Sequence, residues 1–262
     1  MKKLITIYLV CMFVCGFVTI NQAKAYQLEN QFDVPDVPGS ESSNPLDLTS
    51  DGENLFILLH YTPGSYTIAK TTKSGNLLTT FAPFGRGQSL TYHDGYLYRG
   101  YEPVPGITTT EIIKFDAEDG TVLSTLPSPV SSTKLGGLAS DGTNLFAISL
   151  NKTIYTIAPD SGAVINTFQP LLPGNGLGIG LAYYDQHLFA STWDTISMLD
   201  PLNGSVLDSF NPGLTTNING ITFVDDKLYV QDEHSVYVFT PEPATLFLLG
   251  LGSLVLLRKR RT

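Results

Sequence analysis

Apolar and polar residues alternate along most of the chain in short runs, and these runs repeat. Four stretches share an apolar segment, a turn that contains glycine, and a second alternating segment. They are YTIAKTTKSGNLLTTF (66–81), EIIKFDAEDGTVLSTL (111–126), TIYTIAPDSGAVINTF (153–168) and TISMLDPLNGSVLDSF (195–210). Alternation with period two predicts β-strands, and a glycine turn between two such segments predicts a hairpin, because glycine adopts positive φ readily. The turn glycines, Gly75, Gly120, Gly162 and Gly204, lie 45, 42 and 42 residues apart.

A second hairpin alternates with the first. Its copies are LTSDGENLFIL (48–58), LTYHDGYLYRG (90–100), LASDGTNLFAI (138–148), LAYYDQHLFAS (181–191) and ITFVDDKLYVQ (221–231). Two hairpins make four short strands in about 43 residues, which is the size of one β-propeller blade. Glycine-rich segments lead into three of these copies and overlap their first residues, at 135–140, 177–183 and 218–223. They fit the innermost strands, where there is least room for side chains.

The number of copies predicts how the repeat closes. The second hairpin occurs five times, but the first is complete only four times, and the fifth unit ends with SVYVFT (235–240). The missing strand resembles YQLENQFDVP (26–35), with Phe32 in the place of Phe81 and Phe168. The sequence therefore predicts an all-β fold, a five-bladed β-propeller over residues 26–240, closed by an N-terminal strand that removes an exposed edge. An irregular β-sandwich is the alternative.

The first 25 residues have the composition of a secretory signal peptide. Met1-Lys2-Lys3 precedes an apolar run over residues 4–20, and Ala23-Lys24-Ala25 supplies a small-x-small cleavage site. Cleavage after Ala25 is expected, with an uncleaved N-terminal anchor as the alternative. Both cysteines, Cys11 and Cys15, lie in this leader, so the exported domain would contain neither a disulfide nor a reactive thiol. Export without disulfides fits a bacterial envelope.

The region between the two ends is strongly acidic. Of the 15 basic residues, seven lie in the leader and tail, and of the 24 acidic residues only Glu242 does. Residues 26–240 therefore carry 8 basic and 23 acidic residues, a formal charge of −15. Such a surface repels nucleic acid and anionic lipid, whereas it tolerates neutral sugars, cations or basic partners. No nucleic-acid partner is expected.

No familiar constellation of catalytic or metal-binding residues is visible. His60, His93, His187 and His234 lack ligand-spaced partners, and no Gly-x-Ser-x-Gly elbow occurs. A triad assembled from distant positions stays open. The five-residue segment Asp116-Ala117-Glu118-Asp119-Gly120 resembles a calcium loop but has Pro127 where the bidentate glutamate belongs. We therefore expect no catalytic residue, metal or cofactor.

The carboxylates and the single tryptophan bear on whether the protein acts on or binds carbohydrate. Acids concentrate in the predicted turns and are nearly absent from the predicted inner strands, which counts against a glycoside hydrolase using paired carboxylates. Trp193 either packs between blades, the commoner role, or offers a face for stacking on a sugar ring.

The C-terminal tail, PEPATLFLLGLGSLVLLRKRRT (241–262), has no obvious use in a soluble domain. It contains Pro241-Glu242-Pro243, fourteen uncharged residues over 244–257, and Arg258-Lys259-Arg260-Arg261. As a helix, fourteen residues would reach roughly 21 Å, short of the ~30 Å hydrocarbon core. The four bases would stay cytoplasmic by the positive-inside rule. These properties predict a marginal transmembrane helix that holds the chain temporarily.

The tail resembles the PEP-CTERM sorting signal in motif, apolar run, basic cluster and position. The resemblance implies that an exosortase, a membrane-embedded protease, recognises Pro241, Glu242 and Pro243 and cuts at or near them. It also implies a Gram-negative host that makes exopolysaccharide. We therefore expect an exported, non-enzymatic binding or structural protein of the cell surface or extracellular matrix. Its partner would be a polysaccharide or another surface protein. The alternative is a secreted carbohydrate-binding or carbohydrate-active propeller that uses its central pocket.

Overall fold

A computed structural model describes most of the region between leader and tail. The described residues are 26–37, 43–61, 65–82, 86–102, 111–130, 134–174, 176 and 180–241. The predicted signal peptide, with Ala23 and Ala25, lies outside them, as do Glu242, Pro243 and the basic cluster from Arg258 to Arg261. Within the described ranges the regular structure is entirely β-strand, and no helix there has the length and apolarity of a membrane span.

In the part of the chain that the structure describes, twenty strands form five antiparallel sheets of four strands each. Blade 1 contains β2 (Ser43–Ser50), β3 (Asn54–Tyr61), β4 (Ser65–Thr72) and β5 (Leu77–Phe81). Blade 2 contains β6 (Arg86–His93), β7 (Tyr96–Glu102), β8 (Glu111–Asp116) and β9 (Val122–Pro127). Blade 3 contains β10 (Leu135–Ser140), β11 (Leu145–Ser149), β12 (Ile154–Ile157) and β13 (Val164–Phe168). Blade 4 contains β14 (Leu181–Tyr184), β15 (His187–Ser191), β16 (Ile196–Leu199) and β17 (Val206–Phe210). Blade 5 contains β18 (Gly220–Val224), β19 (Lys227–Gln231), β20 (Ser235–Pro241) and β1 (Tyr26–Asp33).

The blades form a closed ring. The first strand of each blade contacts the first strand of the next, in the order β2, β6, β10, β14 and β18, and β18 contacts β2 again. A sandwich of two sheets would not produce this cyclic order. The predicted five-bladed propeller is confirmed, with the first strand of each blade at the central axis.

The N-terminal strand closes the ring as predicted. β1 pairs antiparallel with β20, and the register places Tyr26 opposite Pro241 and Phe32 opposite Val236. Without β1, the outer edge of β20 would be unpaired. The sequence predicts a domain boundary after residue 240, whereas β20 extends one residue further, to Pro241.

The apolar core lies between the blades. Five clusters of buried side chains occupy the five joints between neighbouring sheets. At the joint between blades 5 and 1, for example, Leu55 and Ile57 of β3 pack with Tyr229 and Val236. Because each blade buries both of its faces, the middle strands are apolar at successive positions, as in LFILL of β3.

The repeat glycines hold successive blades together. Gly75, Gly120, Gly162 and Gly204 adopt positive φ between 70° and 87°, as their turns require. A Cβ at these positions would lie within 2.3–2.7 Å of a side chain on the preceding blade's outer strand. Those side chains are, in the same order, Phe32, Phe81, Pro127 and Phe168. Four joints therefore share one contact, in which a glycine turn lies directly against a ring.

The joint between blades 4 and 5 is made differently. Blade 5 has no turn between its third and fourth strands, because these come from opposite ends of the chain. Instead, the ring of Tyr26 stacks on Phe210, with centroids 4.9 Å apart and 19° between the planes. Burial, with the nearby charges of Asp185 and Asp208, raises the pKa of Tyr26 to about 12, so the ring stays neutral.

The two ends of the ring differ in what they carry. In an antiparallel meander, the turns after the first and third strands lie at one end, and the remaining connections lie at the other. We call the first the turn end; Gly52 and Gly75 mark it in blade 1. The Tyr26–Pro241 pair replaces a turn after the third strand, so both ends of the propeller chain meet at the turn end.

Candidate functional site

A cavity of about 340 Å³ opens on the central axis, and all five blades contribute to its wall. Its lining residues are Asn44, Leu46, Gln88, Lys134, Leu150, Trp193, Asn219 and Glu233. Asn44 and Gln88 belong to the first halves of β2 and β6, whereas Lys134 and Asn219 directly precede β10 and β18. Strand starts at the axis lie opposite the turn end. We call this the axial pocket, and its side of the ring the pocket end.

A second cavity, of about 510 Å³, is larger but is built by blade 4 alone. It lies at the turn end and is lined among others by Asp185, His187, Asp200 and Leu202. Ligand sites of propellers and barrels form where several elements converge, so that polar groups can approach a ligand from different directions. The axial pocket meets this condition, and we take it as the candidate site.

The wall of the axial pocket combines four kinds of chemistry. Asn44, Gln88 and Asn219 present side-chain amides, each of which can both donate and accept hydrogen bonds. Lys134 and Glu233 add one positive and one negative charge. The indole of Trp193, 40% exposed, adds an aromatic face. Such a wall suits a small ligand with several hydroxyl or amide groups and little net charge.

Hydrogen bonds between blades hold two of these residues in place. The Asn219 side-chain amide donates to the carbonyl of Pro45 at 2.8 Å, and its backbone N–H donates to the carbonyl of Gln231 at 2.8 Å. The first bond joins blade 5 to blade 1. The backbone N–H of Ile218 donates to the carbonyl of Trp193 at 2.9 Å, which joins the preceding pair of blades.

Trp193 is packed on one side and accessible on the other. A Cβ at Gly176 would lie 2.2 Å from the indole ring, so the backbone of Gly176 lies against it. Gly176 also has a φ of 86°. The ring thus packs on a glycine of the chain and still contributes a face to the pocket, and the role of that face in stacking on a sugar stays a prediction.

Glu233 projects from a turn that Asp232 organises. Asp232 is nearly fully buried, and its carboxylate accepts hydrogen bonds from the backbone N–H groups of His234 and Ser235, both at 2.8 Å. The hydroxyls of Thr216 and Tyr237 also donate to it. Burial alone would raise the pKa of Asp232, but these donors together hold it below its ordinary value. The turn carrying Glu233 is thus built on a fixed negative charge.

Asp47 is a buried acid at the axis, next along β2 from the pocket residue Leu46. It is fully buried, and its carboxyl oxygens accept hydrogen bonds from the backbone N–H groups of Leu48 at 2.9 Å and Leu90 at 2.7 Å. A Cβ at Gly220 would lie 2.6 Å from Asp47 Oδ1. Burial raises the pKa of Asp47 well above its ordinary value, although both hydrogen bonds oppose the shift. Asp47 thus lies where blades 1, 2 and 5 meet.

The four histidines are dispersed over the ring. The ring of His60 lies 4.7 Å from that of Tyr66, His93 Nδ1 lies 2.6 Å from Ser140 Oγ, and His187 Nδ1 lies 2.6 Å from the carbonyl of Asp185. Across the described ranges, no three His, Cys, Asp or Glu side chains come together as metal ligands would.

The predicted turn acids have structural partners. In the segment compared with a calcium loop, Asp116 accepts a hydrogen bond from the N–H of Glu118 and Asp119 accepts one from Thr121, both at 2.8 Å. Asp51 likewise accepts from Glu53 at 2.8 Å and from Asn54 at 2.6 Å. These aspartates stabilise turns, as their spacing indicates.

The residues of the axial pocket were not identified from the sequence. They come from five blades and differ in type from blade to blade, so they form no linear motif. Their positions do repeat: a polar residue stands just before the first strand in blades 3 and 5, and within its first three residues in blades 1 and 2. Aligning the repeats across these positions would have found them.

Of the predicted sorting residues, the structure describes Pro241. It is the last residue of β20 and pairs with Tyr26, and nearby Phe239 is buried in the cluster between blades 4 and 5. The other sorting residues, Glu242, Pro243, Arg258, Lys259, Arg260 and Arg261, lie outside the described ranges.

Two solved structures similar to this one have low sequence identity to it, and of these two the glutaminyl cyclase supports the shared fold. Glutaminyl cyclase from Myxococcus xanthus has a TM-score of 0.64 and 14% identity, over 84% of this chain and 98% of that one. The WD40 β-propeller domain of Doa1 has a TM-score of 0.49 and 12% identity, over 84% and 98% of the two chains. Identities this low show the fold alone. Among curated proteins, none matches the sequence.

The tail matches a family model. The PEP-CTERM protein-sorting motif matches residues 239–261. The motif implies processing by an exosortase and indicates an exported protein. Its first three residues, 239–241, are also the last three of β20. The chain thus carries a PEP-CTERM sorting motif attached directly to a five-bladed β-propeller.

Proposed function

We propose that this protein is a non-enzymatic, exported binding component of the cell surface or extracellular matrix. The signal peptide starts export, the apolar run holds the chain in the inner membrane with its C-terminus in the cytoplasm, and an exosortase then cuts at or near Pro241-Glu242-Pro243. The released propeller binds a small, uncharged or zwitterionic saccharide unit in its axial pocket. The matrix polysaccharide would supply that unit.

The axial pocket carries this proposal. Its three amides can pair with the hydroxyl groups of a sugar, each as donor and acceptor. The half-exposed face of Trp193 can lie against the apolar face of a sugar ring. The formal charge of −15 on residues 26–240 repels polyanionic polysaccharides, so a neutral or amino-sugar unit is favoured.

The chain offers its own probe for the test. Trp193 is its one tryptophan and lines the pocket, so its fluorescence reports on ligands that enter there. We expect a saturable change in emission when neutral disaccharides are added to the mature protein. In calorimetry, Trp193→Ala should weaken binding by about two- to tenfold, since an aromatic contact contributes about 0.5–1.5 kcal/mol.

Leu171→Ala is the matched control. Leu171 is 92% exposed, lies between β13 and β14, and is not part of the pocket wall. It should leave the affinity unchanged. An unchanged affinity in Trp193→Ala, or an absence of saturable binding across a panel of neutral and amino-sugar glycans, would contradict carbohydrate binding in this pocket.

Peptide chemistry is the second candidate function. The fold is similar to that of a glutaminyl cyclase, and the pocket places the carboxyl of Glu233 and the amine of Lys134 in one wall with three amides. The carboxyl group of Glu233 could transfer protons while the α-amine of an N-terminal glutamine attacks the side-chain amide of the same glutamine. The ring then closes and ammonia leaves. Peptides beginning with glutamine would then lose one ammonia in mass spectrometry, and Glu233→Gln would abolish the loss. No loss above the uncatalysed rate would exclude this activity.

A further inference from the structure

The connection between the propeller and the apolar run is very short. Pro241 ends β20, and the uncharged run begins at Ala244, so only Glu242 and Pro243 lie between them. Three peptide steps reach at most roughly 11 Å in any conformation. While the run lies in a membrane, Pro241 must therefore stay within about that distance of the lipid surface.

Pro241 lies at one end of the ring, and the axial pocket opens at the other. Pro241 pairs with Tyr26 at the turn end, whereas Asn44, Lys134 and Trp193 line the pocket end. Strand β20, which runs from beside the pocket residue Glu233 to Pro241, has seven residues and spans roughly 23 Å at 3.3 Å per residue. If the pocket end faced the lipid, Pro241 would stand farther from the membrane than the connection can reach.

Charge does not favour the turn end at an anionic membrane, so the short connection alone must set the orientation. Acids occupy the turn after the first strand in every blade: Asp51, Asp94, Asp141, Asp185, Asp225 and Asp226. Two lysines at this end, Lys73 and Lys227, are already paired with Asp225 and Glu29. Anionic headgroups repel such a surface within a Debye length.

We propose that the membrane-held form presents its axial pocket away from the lipid, with the acidic turn end facing the membrane. The pocket can then bind its ligand before the tail is cut, so processing releases a protein that is already competent to bind. This inference rests on the proposed insertion of the tail, but not on the identity of the ligand.

Native tryptophan provides the first test. The tailed protein would be produced from the full chain in a host without the processing protease and reconstituted in phosphatidylcholine vesicles containing brominated lipid. Because Trp193 is at the pocket end, its emission should be quenched by less than about a tenth. Strong quenching of Trp193 would overturn the inference.

A matched pair of labels provides the second test. The two native cysteines, Cys11 and Cys15, lie in the predicted leader, so a leader-cleaved chain can carry a single new one. Leu202→Cys places a fluorophore at the turn end and Leu171→Cys places one at the pocket end; these leucines are 79% and 92% exposed. Brominated lipid should quench the label at position 202 at least twofold more than the label at 171. Equal or reversed quenching would overturn the proposal.

A longer connection tests the cause. Inserting a flexible glycine-serine segment of about twelve residues between Pro241 and Glu242 should remove the difference between the two labels, because such a linker lets the ring turn over. A difference that persists would show that the short connection does not set the orientation. If the tailed protein fails to float with vesicles, the proposed anchoring itself is wrong, a result that differs from flotation with the wrong quenching pattern.

Discussion

Blades 1 to 4 and blade 5 have the same four-stranded architecture but are assembled differently. Each of the first four is a continuous stretch of chain, whereas blade 5 takes β18, β19 and β20 from the C-terminal side and β1 from the N-terminus. The blade that closes the ring is also the one to which the predicted signal peptide and the sorting motif are attached.

Because of this difference, strand pairing is local in sequence within blades 1 to 4 and long-range in blade 5. Within blades 1 to 4, neighbouring strands pair across short connections, so each hairpin can form early at low entropic cost. The pairing of Tyr26 with Pro241 joins opposite ends of the propeller and must wait until the ring is assembled. We therefore expect β1 to be the element whose removal most affects stability.

Deleting Tyr26–Asp33 should have the largest effect. The deletion removes the ring of Phe32 from the turn of Gly75, removes Tyr26 from Phe210, and leaves the edge of β20 unpaired. Losing two large partly buried rings and exposing apolar side chains of β20 should lower the free energy of unfolding by at least about 4 kcal/mol. At 2–4 °C per kcal/mol, Tm should fall by roughly 8–16 °C in calorimetry.

Glu29→Ala is the control within the same strand. Its carboxylate contacts Lys227 at 2.7 Å on an exposed surface, where an ion pair contributes little. This variant should unfold within about 2 °C of the wild type. A deletion variant that melts at the wild-type temperature would show that β1 does not close the ring in solution.

Two glycine variants compare how tightly two joints are packed. The closing joint, between blades 5 and 1, involves the N-terminal strand, whereas the joint between blades 3 and 4 lies within a continuous stretch of chain. Gly75 lies against Phe32 of β1, and Gly204 lies against Phe168 within the continuous chain; in both, a Cβ would be 2.3 Å from the ring. Alanine adds the cost of positive φ, about 1–2 kcal/mol, and overpacking, about 1–3 kcal/mol. We expect Gly75→Ala and Gly204→Ala each to lose about 3 kcal/mol in urea unfolding.

Gly52→Ala separates the two contributions. Gly52 has a φ of 93°, but a Cβ there would meet no atom within 4 Å. It should lose only the conformational cost of about 1 kcal/mol. A contrary result would be that Gly75→Ala and Gly52→Ala lower the free energy of unfolding by the same amount while Gly204→Ala lowers it by more. That result would show that the closing strand β1 moves aside and that the two joints are not equivalent.

Much of the fold could be predicted from the sequence because it depends on local, repeated signals. The turn glycines mark hairpins that recur with nearly constant spacing, and counting incomplete copies was enough to place residues 26–35 in blade 5. The contact between each turn glycine and the preceding ring was not predicted. Gly120 and Phe81 both stand out in the repeats, but nothing in a repeat alignment says that they touch across two blades.

The candidate site could not be predicted to the same extent. Pocket residues such as Lys134 and Asn219 come together only through the curvature of the ring, and side-chain type is not constant at these positions. Asp47 precedes the segment that repeats most clearly, over residues 48–58, and an acid near the start of a strand usually faces water. Its burial depends on Leu90 and Gly220, which are distant in sequence.

Asp47 lies at the joint between blades 1 and 2 and at the closing joint between blades 5 and 1. The pH dependence of stability that it causes therefore reports on how well water is excluded where these joints meet. It accepts a hydrogen bond from Leu90 of blade 2 and lies against Gly220 of blade 5. Because burial raises its pKa in the folded state, the folded protein binds the proton more tightly than the unfolded chain does. Its contribution to stability is therefore full below the ordinary aspartate pKa and decreases as pH rises towards the folded pKa, by up to about 1.4 kcal/mol per pH unit.

Asp47→Asn removes this titration and keeps one hydrogen-bond acceptor. In urea unfolding from pH 4 to pH 8, the wild type should lose stability relative to Asp47→Asn as pH rises. In a second series extended to about pH 2, the wild type should gain stability relative to Asp51→Asn as pH rises towards about pH 4, because hydrogen bonds from Asn54 and Glu53 outweigh burial and lower the pKa of Asp51. A constant difference between wild type and Asp47→Asn would mean that the axis admits enough water to keep Asp47 ionised, and hence that blades 1, 2 and 5 meet more loosely than the remaining joints.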